Sequence, residues 1–99
     1  MAAVKQIVEK AISENAVAVF SKSYCPYCKA TKETLSQFIK NYYLIELDQE
    51  ENGADIQNYL REKTGQNSVP NIFIKQEHIG GNSDLAALNK AGKLKSMLA

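Results

Sequence analysis

Two cysteines, Cys25 and Cys28, stand two residues apart where one kind of hydrophobic pattern gives way to another. Before them, Val17-Ala18-Val19-Phe20-Ser21 is a short, nearly continuous apolar run. Such a run suits a central parallel strand covered on both faces. After them, Cys28, Thr31, Leu35, Phe38 and Ile39 recur at helical spacing, with Lys29, Lys32, Glu33 and Lys40 mainly on the other side. Pro26 lies between the thiols, and proline is favoured at the first helical position because its missing N–H would be unpaired there anyway. The spacing therefore predicts a strand, a tight turn and a helix from Pro26 to about Lys40, with Cys25 as the N-cap.

The remaining chain fits around that unit. Val4, Ile7, Val8, Ala11 and Ile12 predict a helix over about 3–14. Tyr43-Leu44-Ile45-Glu46-Leu47 reads as a strand, and Asp48 to Asn52 as a polar loop. Ile56, Tyr59 and Leu60 mark the inner face of a helix from Gly53 or Ala54 to Thr64, stopped by Gly65. Asn71–Ile74 and Glu77–Ile79 read as a hairpin about Lys75-Gln76, a pair without the Asn-Gly chemistry that two-residue turns prefer. Ser83 is placed to cap a helix carrying Leu85 and Leu88; Gly92 interrupts it, and Leu94, Met97 and Leu98 form a last turn. Strands joined through helices favour parallel pairing, and the hairpin is antiparallel. The expected class is α/β: one domain over 1–99, with a central four-stranded mixed sheet flanked by helices.

Composition narrows the function. Twelve basic and eleven acidic side chains nearly balance, which gives no case for nucleic acid or an anionic membrane as partner. No apolar run approaches the roughly 20 residues of a membrane helix. The N-terminal segment is amphipathic and has no continuous apolar stretch of the secretory kind. Secreted disulfide scaffolds of this size usually carry four or more cysteines, against two here. A reducing compartment, the cytoplasm, is the expected location.

In that setting C-x-x-C reads as a redox pair. A thiolate attacks disulfides, and an N-cap sulfur sits where unpaired N–H groups and the helix dipole favour negative charge. With Lys22 nearby, Cys25 is expected to ionise below the usual thiol value of about 8.5. Cys28, one turn further in on the apolar face, is expected to stay protonated. Cys25 is the expected nucleophile and Cys28 the resolving thiol. A purely structural disulfide closing so short a loop would add little stability. A closed zinc site needs four ligands, and His78, the one other soft ligand, is expected on a distant hairpin. Covalent haem attachment needs His after the second Cys, where Lys29 stands. No metal is expected.

Lys22-Ser23-Tyr24-Cys25-Pro26-Tyr27-Cys28, Ser68-Val69-Pro70 and Gly80-Gly81-Asn82-Ser83-Asp84-Leu85 together resemble the dithiol glutaredoxins, in that family's order and over nearly the whole chain. The resemblance implies a thioredoxin fold and a glutathione-dependent thiol–disulfide oxidoreductase acting on protein disulfides and glutathione mixed disulfides. It implies glutathione as reductant and co-substrate. Cys25 and Cys28 would be catalytic. Lys22 and Gln57 would meet the glycine carboxylate of glutathione, Tyr27 would line the groove, and Val69 would pair its backbone with the cysteinyl part. Pro70 would be cis. Ser83 and Asp84 would hold the γ-glutamyl end. Many members carry Arg-Thr before Val-Pro; Asn67-Ser68 stands there in this chain. The implied partners are glutathione, glutathionylated or disulfide-bonded proteins and, indirectly, glutathione reductase, with the chain a monomer. Some relatives instead bridge an iron–sulfur cluster between two chains through the first cysteine and glutathione, which is the alternative; a third reading is an electron donor served by a thioredoxin reductase.

Overall fold

The computed structural model describes residues 2–99. The elements run α1 (Ala2–Glu14), β1 (Val17–Ser21), α2 (Pro26–Ser36), β2 (Tyr43–Glu46), α3 (Gly53–Thr64), β3 (Asn71–Ile74), β4 (Glu77–Gly80), α4 (Asn82–Lys90) and α5 (Lys93–Leu98), with a single 3-10 turn at Leu47–Gln49. The four strands form one sheet in the order β2-β1-β3-β4. β1 pairs parallel with β2, while β3 runs antiparallel to both β1 and β4. This is the mixed sheet expected from the alternation of strand and helix.

All five residues of β1 are buried, because the sheet is covered on both sides. Alternate side chains of a strand point to opposite faces. Ala18 and Phe20 accordingly join Val4, Val8, Ile56 and Leu60 of α1 and α3 in one core. Val17 and Val19 join Leu35 of α2, Leu85 of α4 and Leu94 of α5 in the other. Phe20 and Phe73 meet edge to face in the first core, with centroids 6.0 Å apart, a geometry that aromatic quadrupoles favour. Among the described residues, no helix is long and apolar enough to cross a membrane.

Three boundaries differ from the sequence expectation. Helix α2 ends at Ser36 rather than near Lys40. Phe38 and Ile39 both donate backbone bonds to Leu35 O and still pack on the second core, from a turn beyond the helix. Helical spacing reports which side chains go inward, and a short turn can serve the same face. Leu47 leaves β2 and starts the 3-10 turn, where it is buried. The cap of α4 is Gly81, not Ser83. The Asp84 carboxylate accepts the Gly81 N–H at 2.9 Å, which moves the helix start two residues earlier. Gly81 has no side chain to return the bond, so only the acidic half of a capping box forms.

The Lys75-Gln76 turn closes the hairpin with both residues at positive φ, 50° and 70°. Primed turns need that backbone whatever the residues are. Lys75 N–H is anchored on Ala16 O at 2.6 Å. Gly65 caps α3 in the left-handed region, as its position predicts.

Candidate active site

β1 delivers the chain to the end of the sheet, and Lys22-Ser23-Tyr24 turns it into α2. Cys25 N–H closes that turn on Lys22 O at 3.1 Å, and Lys29 N–H begins the helix on Cys25 O at 3.1 Å. Cys25 is thus the N-cap with extended backbone, and Pro26 is the first helical residue, both as the spacing predicts. The two cysteines are free and lie 3.3 Å apart. A disulfide needs sulfurs at about 2.05 Å, so closure requires a local approach rather than a change of fold.

Their surroundings differ. Cys25 is half-buried, and its thiol donates to Val69 O at 3.8 Å. Cys28 is wholly buried. Burial pushes its thiol above the usual range, with hydrogen bonds involving Ser21 and Lys22 opposing the rise and the neighbouring Cys25 adding to it. One sulfur can meet solvent, and the other is sealed from it.

A groove of ≈ 370 Å³ is lined by Tyr27, Ser68, Val69, Pro70, Gly81, Asn82 and Ser83, and Cys25 adjoins it through its contact with Val69. The Val69–Pro70 bond is cis. Four of the residues singled out from the sequence therefore share one concavity: Tyr27, Val69, Pro70 and Ser83. The other three are not among the residues that line it. Lys22 flanks Cys25 in the turn. Gln57 reaches from α3 to donate to Asn67 O at 2.6 Å, on the loop leading to Val69. Asp84 is engaged with Gly81 N–H. A second cavity of ≈ 420 Å³ sits at the far end of β1, lined by Val17, Ile39, Tyr42, Met97 and Leu98 among others, and carries no thiol. Among the described residues, no cluster of three or more His, Cys, Asp or Glu is arranged to hold a metal ion.

Sequence reasoning missed the supports of this site. The Asp48 carboxylate accepts both the N–H and the hydroxyl of Ser23, fastening the thiol turn to the 3-10 turn after β2. Those two bonds, with Lys22 nearby, hold the Asp48 carboxyl below its usual range. The signal was available: β1 and β2 are parallel, so the residues following each emerge side by side. Gln66 likewise braces the groove, its amide donating to Ser68 O at 3.1 Å and Pro70 O at 2.9 Å. Nothing in its local sequence marks it.

A thiol pair at a strand-to-helix turn, the inner thiol buried, on a β2-β1-β3-β4 mixed sheet flanked by helices, defines a thioredoxin-fold thiol oxidoreductase. Comparison with known proteins gives the family. The glutaredoxin family model matches residues 17–79. The chain is 57% identical over 95 residues to glutaredoxin-2 of Schizosaccharomyces pombe, covering 96% of this chain and 86% of that one. It is 50% identical over 99 residues to glutaredoxin-1 of Rhizophagus irregularis, covering 100% and 98%. Among solved structures, a mutated buckwheat glutaredoxin superposes with a TM-score of 0.95 at 40% identity, covering 98% of this chain and 88% of that one. A buckwheat glutaredoxin–glutathione complex does so with a TM-score of 0.93 at 41% identity, with the same coverage. The chain belongs to the glutaredoxin family and is an oxidoreductase.

Proposed function

We propose that this protein uses glutathione to reduce protein disulfides and glutathione mixed disulfides, through Cys25 as nucleophile and Cys28 as resolving thiol. The observation that carries the reading is the 3.3 Å separation of one half-exposed and one buried sulfur at the entrance of α2. The first-turn N–H groups of a helix favour negative charge, and Cys25 is their N-cap.

On a glutathionylated protein, Cys25 thiolate attacks the glutathionyl sulfur. The S–S bond breaks, the protein leaves as thiolate and takes up a proton, and Cys25 is left joined to glutathione. A second glutathione thiolate attacks that bond, giving glutathione disulfide and free Cys25. On a protein disulfide, Cys25 attacks one sulfur and the other leaves as a thiol. Cys28 then loses its proton and attacks Cys25, releasing the second protein thiol and closing Cys25–Cys28. Two glutathione molecules reopen the bond and leave as glutathione disulfide. Glutathione reductase would regenerate the reductant. This chemistry suits a reducing compartment, and we place it in the cytoplasm.

The groove suits an extended peptide with charged ends. Backbone groups of Val69 give strand-like pairing without demanding a particular side chain. Ser83 belongs to the first turn of α4, where free amides favour a carboxylate. Lys22 offers a cation, and Asp84 a counter-charge for an ammonium. Tyr27 forms one wall, and Gln57 steadies the loop bearing Val69. The cluster-bridging alternative calls on Cys25 alone, whereas the neighbouring Cys28 favours dithiol chemistry. The test is turnover of a glutathionylated peptide with glutathione as sole reductant. Wild-type protein should be active and Cys25→Ser inactive; full activity of Cys25→Ser ends the assignment. Activity only with a thioredoxin reductase would replace glutathione as the reductant.

A further inference from the structure

The loop between α3 and β3 carries Val69, whose carbonyl meets the Cys25 thiol. Its outer residues, Asn67 and Ser68, are exposed, so polar bonds hold the backbone there. Those bonds lead back to the hydroxyl of Thr64, the last residue of α3. The hydroxyl donates to Leu60 O at 2.7 Å. Its oxygen accepts the Gln66 N–H at 3.1 Å and the Asn71 NH2 group at 3.5 Å. A hydroxyl has one hydrogen and two lone pairs, so its whole capacity is used. Gln66 stands near the entrance of the loop, and Asn71 at its exit is the first residue of β3. One oxygen therefore gathers both ends. From the entrance, the Gln66 amide reaches Ser68 O and Pro70 O, the carbonyls on either side of Val69. At the exit, Asn71 is buried, and with its NH2 group turned to Thr64 its oxygen faces His78. That oxygen accepts the Nε2 hydrogen of His78 at 2.9 Å.

We infer that Thr64 is a positioning residue for the thiol–disulfide reaction: its hydroxyl oxygen ties both ends of this loop and so sets the Val69 backbone against Cys25. The inference rests on the glutathione reading above, in which that backbone pairs with the tripeptide. Thr64 does not line the groove and acts only through Gln66 and Asn71. Without its oxygen, two donors lose their acceptor, one of them on a buried side chain, and a buried donor left unpaired is costly. The Gln66 turn then loosens, and the carbonyls beside Val69 loosen with it. Ordering them again falls on the substrate, which raises KM. Cys25 and Cys28 belong to another segment, so the attack itself is spared and kcat holds.

Thr64→Val removes the hydroxyl at nearly constant shape, and Thr64→Ser keeps it. In turnover of a glutathionylated peptide with glutathione as sole reductant, well below the melting temperature, Thr64→Val should raise KM about two- to fivefold and hold kcat, the scale of one hydrogen bond. Thr64→Ser should restore the wild-type KM. In nitrogen-15 spectra without substrate, the Val69 N–H and the Asn71 side-chain NH2 resonances should move in Thr64→Val and stay in Thr64→Ser. Should Thr64→Val fail to fold, Gln66→Met removes the donor to Ser68 O and Pro70 O and should raise KM in the same way. A hydroxyl that only stabilises the fold would lower Tm in Thr64→Val and leave KM and the Val69 resonance in place; that result, or an unchanged KM in Gln66→Met, overturns the inference alone. No turnover by wild type overturns the glutathione reading, and the inference with it.

Discussion

The Asp48 carboxylate holds Ser23 by both its backbone N–H and its hydroxyl, twenty-five residues away in sequence. Ser23 is two residues before Cys25, so this clasp fixes the approach of the chain to that thiol. It arises because β1 and β2 run parallel and end together at Ser21 and Glu46.

Asp48→Asn should therefore lower kcat/KM for a glutathionylated peptide by roughly two- to fivefold, with little change in thermal stability, since the site is exposed and one weaker acceptor remains. The carboxyl is held below its usual range by Ser23. A depressed carboxyl contributes above its unfolded value and loses that contribution as pH falls through the folded one. The clasp should accordingly persist at neutral pH and weaken on the acid side of the ordinary carboxylate range. Alkylation of Cys25 followed as pH is lowered from neutral, compared in wild type and Asp48→Asn, checks this: the two profiles should draw together as pH falls below the ordinary carboxylate range.

Burial raises the Cys28 thiol, and no part of the residue is exposed. Iodoacetamide at neutral pH should label Cys25 and spare Cys28 in the folded protein. Both should be labelled in denaturant. Peptide mapping by mass spectrometry reads the difference directly. A raised thiol favours folding below its unfolded value and loses that contribution as pH rises through the folded one, so stability should fall on the alkaline side.

Tyr59 donates its hydroxyl to Glu9, which also pairs with Lys63 at 2.9 Å, joining α3 to α1. The hydrogen bond to Glu9 pushes the Tyr59 phenol up to about 12. Glu9 is lowered by the same bond. The clasp is present between the two titrations: it fades as pH falls through the lowered Glu9 value and as pH rises toward that of Tyr59. Tyr59→Phe should cost about 1 kcal/mol, or a few degrees in Tm for a chain this size, because the pair stays partly solvated. Activity should not change. Thermal melts at neutral pH measure the loss.

Gln76 occupies the left-handed region at φ 70° without being glycine. Gln76→Gly should stabilise the hairpin by about 1 kcal/mol, since the side chain there is strained and glycine is not. Chemical denaturation, with an unchanged slope and a higher midpoint, is the expected result.

The strands and the helix faces were legible because hydrophobic period alone decides them. Val17 to Phe20 has no polar interruption and becomes the doubly covered strand. Val4, Val8, Ile56 and Leu60 reach the core as their spacing requires. The thiol turn was legible because Pro26 fixes a helix start. What period cannot report is where a helix stops once its inward residues can be carried by a turn, as Phe38 and Ile39 are. Nor can it report caps set by a side chain three residues ahead, as Asp84 does for Gly81. Tyr27, Val69, Pro70 and Ser83, which line one groove, were singled out through a motif. Asp48, Gln66 and Thr64 act through contacts between separate segments, which only the folded chain assembles.

The most direct test is mass spectrometry after mixing the reduced protein with one equivalent of glutathione disulfide. Wild type should finish as the Cys25–Cys28 disulfide with two glutathione molecules released. Cys28→Ser should stop with one glutathionyl group on Cys25. A glutathionyl group on Cys28, or no reaction in either protein, would contradict the account.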